Sequence, residues 1–212
     1  MRTLLRVIAV VVSLPFFMAG QSWELGVSGG YGLYRDVNVT AGSASGSAGF
    51  SSGVAFGAVL GNQLNRLISG EARYTFRSGD MRVSSGPTTA TASAQSHAMY
   101  YGMLVHATRR ESRVRPFLAA GAGVKIYRGT GSEPSYQPLS NLVVLTHTSE
   151  AQPLISVGGG VKFSVSRRAI LRLDFRDYAT PVPTSILATP PNSKVTGWIH
   201  DFVFLVGVSK VF

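Results

Sequence analysis

In the segment LTHTSEAQ, His147, Ser149 and Glu150 carry the side chains of nucleophilic catalysis. Two residues apart on an extended segment, an imidazole and a hydroxyl share one face, so His147 could draw the proton from Ser149. The setting is a long polar stretch, however, and ordinary loop roles are the expectation for all three. His97, His106 and His200 stand singly, without the spacing of metal ligands. The glycines of GAGVK and GGGVK precede no helix, which a phosphate loop requires, and crowding inside the fold is expected to explain them. No catalytic, cofactor or metal site is therefore expected. The most regular chemistry lies in charges that alternate with apolar neighbours: Glu71, Arg73, Lys125, Lys162, Arg172, Asp174, Arg176 and Asp201. Charges turned inward persist only when paired, so these eight are expected to form an internal network.

The elements that would position them have period two. Trp23, Leu25, Val27, Tyr31 and Leu33 fall on one parity of WELGVSGGYGLY, and Glu24, Gly26, Ser28, Gly30 and Gly32 on the other. The same alternation recurs in GVAFGAVLG, LISGEARYTFRS, RPFLAAGAGVKIYRG, LISVGGGVKFSV, AILRLDFRDY and the terminal WIHDFVFLVGVSKVF. HAMYYGMLVHA completes a set of eight strands, but both of its parities are apolar and its facing stays open. Connections alternate long and short, with GSASGSAG a low-complexity surface loop and Thr130–Gln152 a long loop. That asymmetry predicts an eight-stranded antiparallel up-and-down transmembrane β-barrel with long extracellular loops and short periplasmic turns.

Composition agrees with an exported chain. The 212 residues suit one domain, and they include 24 glycines and no cysteine, so the fold must close without disulfides. MRTLLR followed by VIAVVVSLPFFMAG reads as a signal peptide over residues 1–20, leaving residues 21–212 as the barrel domain. The apolar run is too short for a spanning helix and is interrupted by Pro15. Loss of Arg2 and Arg6 lowers the formal charge from +10. Export and a barrel argue against nucleic acid as the partner of this positive charge. Arg109, Arg110, Arg113, Arg115, Arg167 and Arg168 gather at short turns, where anionic headgroups of the inner leaflet would meet them.

Alternation leaves the inner face undecided. An apolar interior would make a secreted lipocalin-like carrier, and an apolar exterior a membrane barrel. The polar face is mainly Gly, Ser and Ala with isolated charges, which suits a crowded lumen better than a solvated surface. Arg77, Lys125 and Arg176 lie toward the loop end of that lumen, where hydration is expected. Trp23, Tyr34, Tyr74, Phe76, Tyr127, Phe163, Trp198 and Phe212 are placed near strand ends as interfacial girdles.

ELGVSGGYGLYRD, SGEARYTFRSGD, RPFLAAGAGVK, LRLDFRDYATPVP and the Phe-terminated last strand resemble the small outer-membrane β-barrels of the OmpA/OmpX-like superfamily. The resemblance implies that Phe212 is an assembly signal read by the barrel-assembly machinery. Lys210 departs from the pattern, standing where such signals usually carry a hydrophobe. His147-x-Ser149 is similar to the arrangement of outer-membrane lipid A deacylases, but Glu150 replaces the Asn that follows their serine. The function expected is that of a monomeric, lipid-embedded barrel in the bacterial outer membrane with a filled lumen. Its role would be structural, adhesive or envelope-stabilising, through loops that bind an extracellular ligand. The alternatives are a narrow anion-preferring pore, a lipid A acyl hydrolase-like barrel and the lipocalin-like carrier.

Overall fold

The computed structural model describes residues 22–131 and 136–212, so the expected leader lies outside the described residues. The strands in chain order begin β1 (Trp23–Arg35), β2 (Val37–Ala41), β3 (Ala44–Phe50), β4 (Gly53–Gln63), β5 (Ile68–Ser78), β6 (Met81–Ser85), β7 (Thr88–Ala92) and β8 (Ala94–His106). They continue with β9 (Val114–Gly129), β10 (Val144–Leu145), β11 (Ser149–Ser164), β12 (Ala169–Pro181), β13 (Leu187–Ala188), β14 (Ser193–Thr196) and β15 (Trp198–Val211). Eight of them close an antiparallel barrel in the ring order β1-β15-β12-β11-β9-β8-β5-β4. First and last strands seal the ring, with Glu24 opposite Val211 and Arg35 opposite His200. The Phe212 amide adds a bond to the Trp23 carbonyl at 2.9 Å.

Short turns fold on their own side chains. Asn65 Oδ1 accepts from the Leu67 and Ile68 amides at 2.9 and 2.8 Å, and Ser166 Oγ from Arg168 and Ala169 at 3.3 and 3.1 Å. These local acceptors stand in for the lost ladder partners.

The outer wall is apolar: Leu25, Val27, Phe56, Met99, Leu118, Val157, Leu173, Phe204 and Val208 are all exposed. A belt of this kind requires lipid and excludes the carrier arrangement, in which the apolar face would turn inward. The open facing of HAMYYGMLVHA is resolved as well, since Met99, Tyr101, Met103 and Val105 face out while Ala98, Tyr100, Leu104 and His106 are buried.

The four long connections are largely folded. β14, β2, β3, β6 and β7 form a second sheet drawn from three of them, and β10 of the remaining connection pairs with β13, which precedes β14 in the last. Alternate residues of these strands, Val37 and Val39, Ala48 and Phe50, Met81 and Val83, enter one hydrophobic core with Leu142, Ile186 and Leu187. Burial of each large side chain there contributes about 1.5–3 kcal/mol, enough to hold short strands of Ser, Thr and Gly in place. GSASGSAG is therefore not a surface loop but mostly β3, and the expected Thr130–Gln152 loop gives way to β11 at Ser149. The hairpin tips use Gly42 and Gly86, at φ +60° and +54°, where a two-residue turn needs a left-handed residue.

Candidate functional site

The barrel interior is the richest chemistry of the molecule. β5 presents Glu71 and Arg73 at successive inward positions, and β12 presents Arg172, Asp174 and Arg176. These strands lie on opposite sides of the eight-strand ring, so their side chains meet across the lumen. Arg73 Nε donates to Glu71 at 3.0 Å and its Nη2 to Asp174 at 3.0 Å. Arg172 Nη2 reaches Glu71 at 2.8 Å, while Arg176 Nη2 reaches Glu71 at 2.9 Å and Asp174 at 3.2 Å. All five side chains are at most 2% exposed. Two carboxylates thus hold three guanidiniums in a dry layer, where such pairing is obligatory. Glu24 of β1 extends the layer, accepting from Arg172 at 2.8 Å and from Lys162 at 2.5 Å.

A second group sits toward the loop end. Asp201 accepts from Lys125 at 2.6 Å and lies 3.2 Å from Arg77 Nη2. The Tyr34 ring stands 4.6 Å from the Arg77 guanidinium and 4.7 Å from the Lys125 ammonium, and Tyr127 is 5.1 Å from that ammonium. Between the two groups lies a belt of Tyr100, Tyr178, Ala55, Leu154, Val203 and Leu205.

The eight expected charges are all buried, but they form two groups instead of one network, with Lys125 and Asp201 apart from the rest. Arg77, Lys125 and Arg176 are not hydrated as expected; each is at most 1% exposed, because the folded cap covers the loop end. Tyr34 and Tyr127 are likewise not girdle residues. Tyr34 shares the parity of Glu24, and Tyr127 that of Lys125, which is the signal that places both rings inside. The partnership of Glu24 was missed although its parity was plain. Arg115 was assigned to the headgroup-facing turns, yet it is 5% exposed and turned inward. Among the described residues seven buried bases face four buried acids. Part of the excess is lodged on aromatic faces: Phe117 lies 5.9 and 5.6 Å from the Arg172 and Arg176 guanidiniums.

The glycines of GAGVK and GGGVK answer the expected lumen crowding, with Gly160 against the Phe117 ring and Gly158 against the Arg176 side chain, and a backbone crowding besides. A Cβ at Gly123 would strike the Met99 carbonyl and one at Gly160 the Leu173 carbonyl, so the close neighbour is chiefly adjacent-strand backbone.

On the outer face, Tyr74 donates to or accepts from His97 Nδ1 at 2.8 Å, and Phe76 packs 5.5 Å from the same imidazole. Trp198 is exposed where β15 begins, and Trp23 and Phe163 stand at the opposite end. Phe212 is 66% exposed, and Lys210 Nζ lies 5.1 Å from its ring. Of the LTHTSEAQ residues, Ser149 is exposed at the start of β11. Glu150 is engaged elsewhere, accepting from Gln152 and from the Ser185 amide, each at 2.6 Å.

No protein-family model matches the sequence, and no curated protein matches it. Solved structures do. Neisserial surface protein A superposes with a TM-score of 0.55 at 12% identity, covering 91% of this chain and 99% of that one. The outer membrane protein AlkL aligns with a TM-score of 0.49 at 12% identity, over 94% of this chain and 95% of that one. The N-terminal β-barrel domain of Pseudomonas aeruginosa OprF gives 0.47 at 11%, over 90% and 97%. A wall that needs lipid, wrapped around an interior of paired charges, makes the chain a closed eight-stranded antiparallel β-barrel that spans a membrane, the fold it shares with neisserial surface protein A.

Proposed function

We propose that the protein is a closed, non-conducting barrel that serves the envelope structurally or adhesively through its folded loop platform. The carrying observation is the continuous fill from lumen to cap: the Glu71–Asp174–arginine layer, the tyrosine belt, the Asp201 group and the loop core follow one another along the barrel. An eight-stranded barrel is just wide enough for side chains to occupy, and here they are cross-linked by charge. The loops above are held by an apolar core and so form a rigid surface suited to presentation or contact. In planar bilayers the purified protein is expected to give no steady conductance. Large, stable currents would instead support the pore reading, with anion preference from the excess of inward base.

Assembly belongs to the same reading. Phe212 is proposed as the assembly signal because the last strand continues in register to Val211 and places this ring at the barrel rim beside Lys210. Deleting Phe212 is expected to lower outer-membrane assembly severalfold while synthesis and export stay unchanged, as measured by the folded, heat-modifiable fraction in membranes. Normal assembly of the truncated chain would remove this role.

A further inference from the structure

We infer that the periplasmic mouth of the barrel holds a binding site for a phosphate group, built around Arg115. A cavity of about 110 Å³ opens among the short turns and is lined by Glu24, Gln63, Arg110, Arg115, Lys162 and Arg167, among others. That is far more than the ~10–15 Å³ one water requires.

Arg115 is the anchor. It is 5% exposed, and its Nη1 donates to Gln63 Oε1 at 3.2 Å. Its Nε and Nη2 are buried without a hydrogen-bond partner among the described residues. Two unused donors of one guanidinium form the planar fork that fits two phosphate oxygens. Gln63 cannot swing to serve them. Its Oε1 also accepts from Ser69 at 3.1 Å, and its Nε2 donates to the Asn65 and Ile68 carbonyls at 2.5 and 3.1 Å.

The surrounding charge has the right sign. Glu24, the lining acid, is already shared between Lys162 and Arg172. Arg110 and Arg167 stand exposed on the turns of residues 107–113 and 165–168 and flank the entrance. The site is thus a cationic mouth backed by the buried donor pair of Arg115, which a small shift of that side chain would present to an anion with several oxygens. Phosphate could arrive on an inner-leaflet lipid headgroup or on a soluble ester.

The test uses the refolded mature chain in dodecyl maltoside, whose headgroup carries no phosphate. One arm titrates inorganic phosphate by calorimetry. The other adds phosphatidylglycerol to the micelles, with an uncharged diacylglycerol as control. Saturable phosphate binding, at least tenfold weaker in Arg115→Gln and in the Arg110→Gln/Arg167→Gln double variant, is expected for a soluble ligand. Saturable binding confined to the phosphatidylglycerol arm, weakened in the same way, assigns the lipid source. Heat-modifiable gel mobility checks that each variant is folded. If Arg115→Gln fails this check, the double variant on exposed turns carries the test. No saturable binding in either arm, or unchanged affinity in folded variants, overturns the site.

Discussion

Glu71→Gln is expected to destabilise the folded barrel by about 3–5 kcal/mol, the cost of removing one partner from a buried ion pair. The substitution keeps the side chain's size and removes its charge. Glu71 accepts from Arg73 at 3.0 Å, Arg172 at 2.8 Å and Arg176 at 2.9 Å. Without that charge the three guanidiniums keep Asp174 and, for Arg172, Glu24. A glutamine oxygen can still accept, but its amide adds donors where donors are already in excess. Urea unfolding in detergent, followed by the fluorescence of Trp23 and Trp198, measures the loss. A change below about 1 kcal/mol would mean that the layer is wet and screened like a surface ion pair. The same variant is where any conductance should first appear.

Leu173→Arg tests the other face, with an expected loss of about 2–4 kcal/mol for a cation at the bilayer midplane. Leu173 is 41% exposed on the outer wall and pairs with Val161 on one side and Val206 on the other. Its neighbour Arg172, one residue away, points inward to three carboxylates. One position therefore separates a site where arginine is required from one where it is costly. Ala169→Arg, at the short-turn end opposite Lys210, is the matched control and should cost about 0–1 kcal/mol. Equal effects at Leu173 and Ala169 would contradict a lipid-facing wall. A Leu173→Arg chain that stayed soluble without detergent would restore the carrier reading.

The sequence by itself determined the eight spanning strands and which parity of most of them turns inward. The cause is local: side chains alternate with a period of two, so a register of Val, Leu and Phe against Gly, Ser and isolated charge marks both strand and face within one segment. Glu71, Arg73, Arg172, Asp174 and Arg176 could be read as inward on that basis alone. Their partners could not, because pairing depends on ring closure, which sets β5 across from β12 and brings Glu71 to Arg172 over a separation of 101 residues. The same closure divided Lys125 and Asp201 from the remaining charges.

β8 defeated the pattern because both of its faces are apolar: one meets lipid, while the other mixes Ala98 and Leu104 with Tyr100. The folded cap was hidden for a different reason. Its strands are short and rich in Ser, Thr, Gly and Ala, so each carries only two or so large apolar residues and too little periodic signal to stand out. They become strands through distant pairing, as when Val195 of β14 meets Val39 of β2, and through the core they enclose with Ile186 and Leu187. Tertiary contact, not local propensity, stabilises them. It also decides that Arg77, Lys125 and Tyr127 are sealed from water, a property of what lies above them that no single strand encodes.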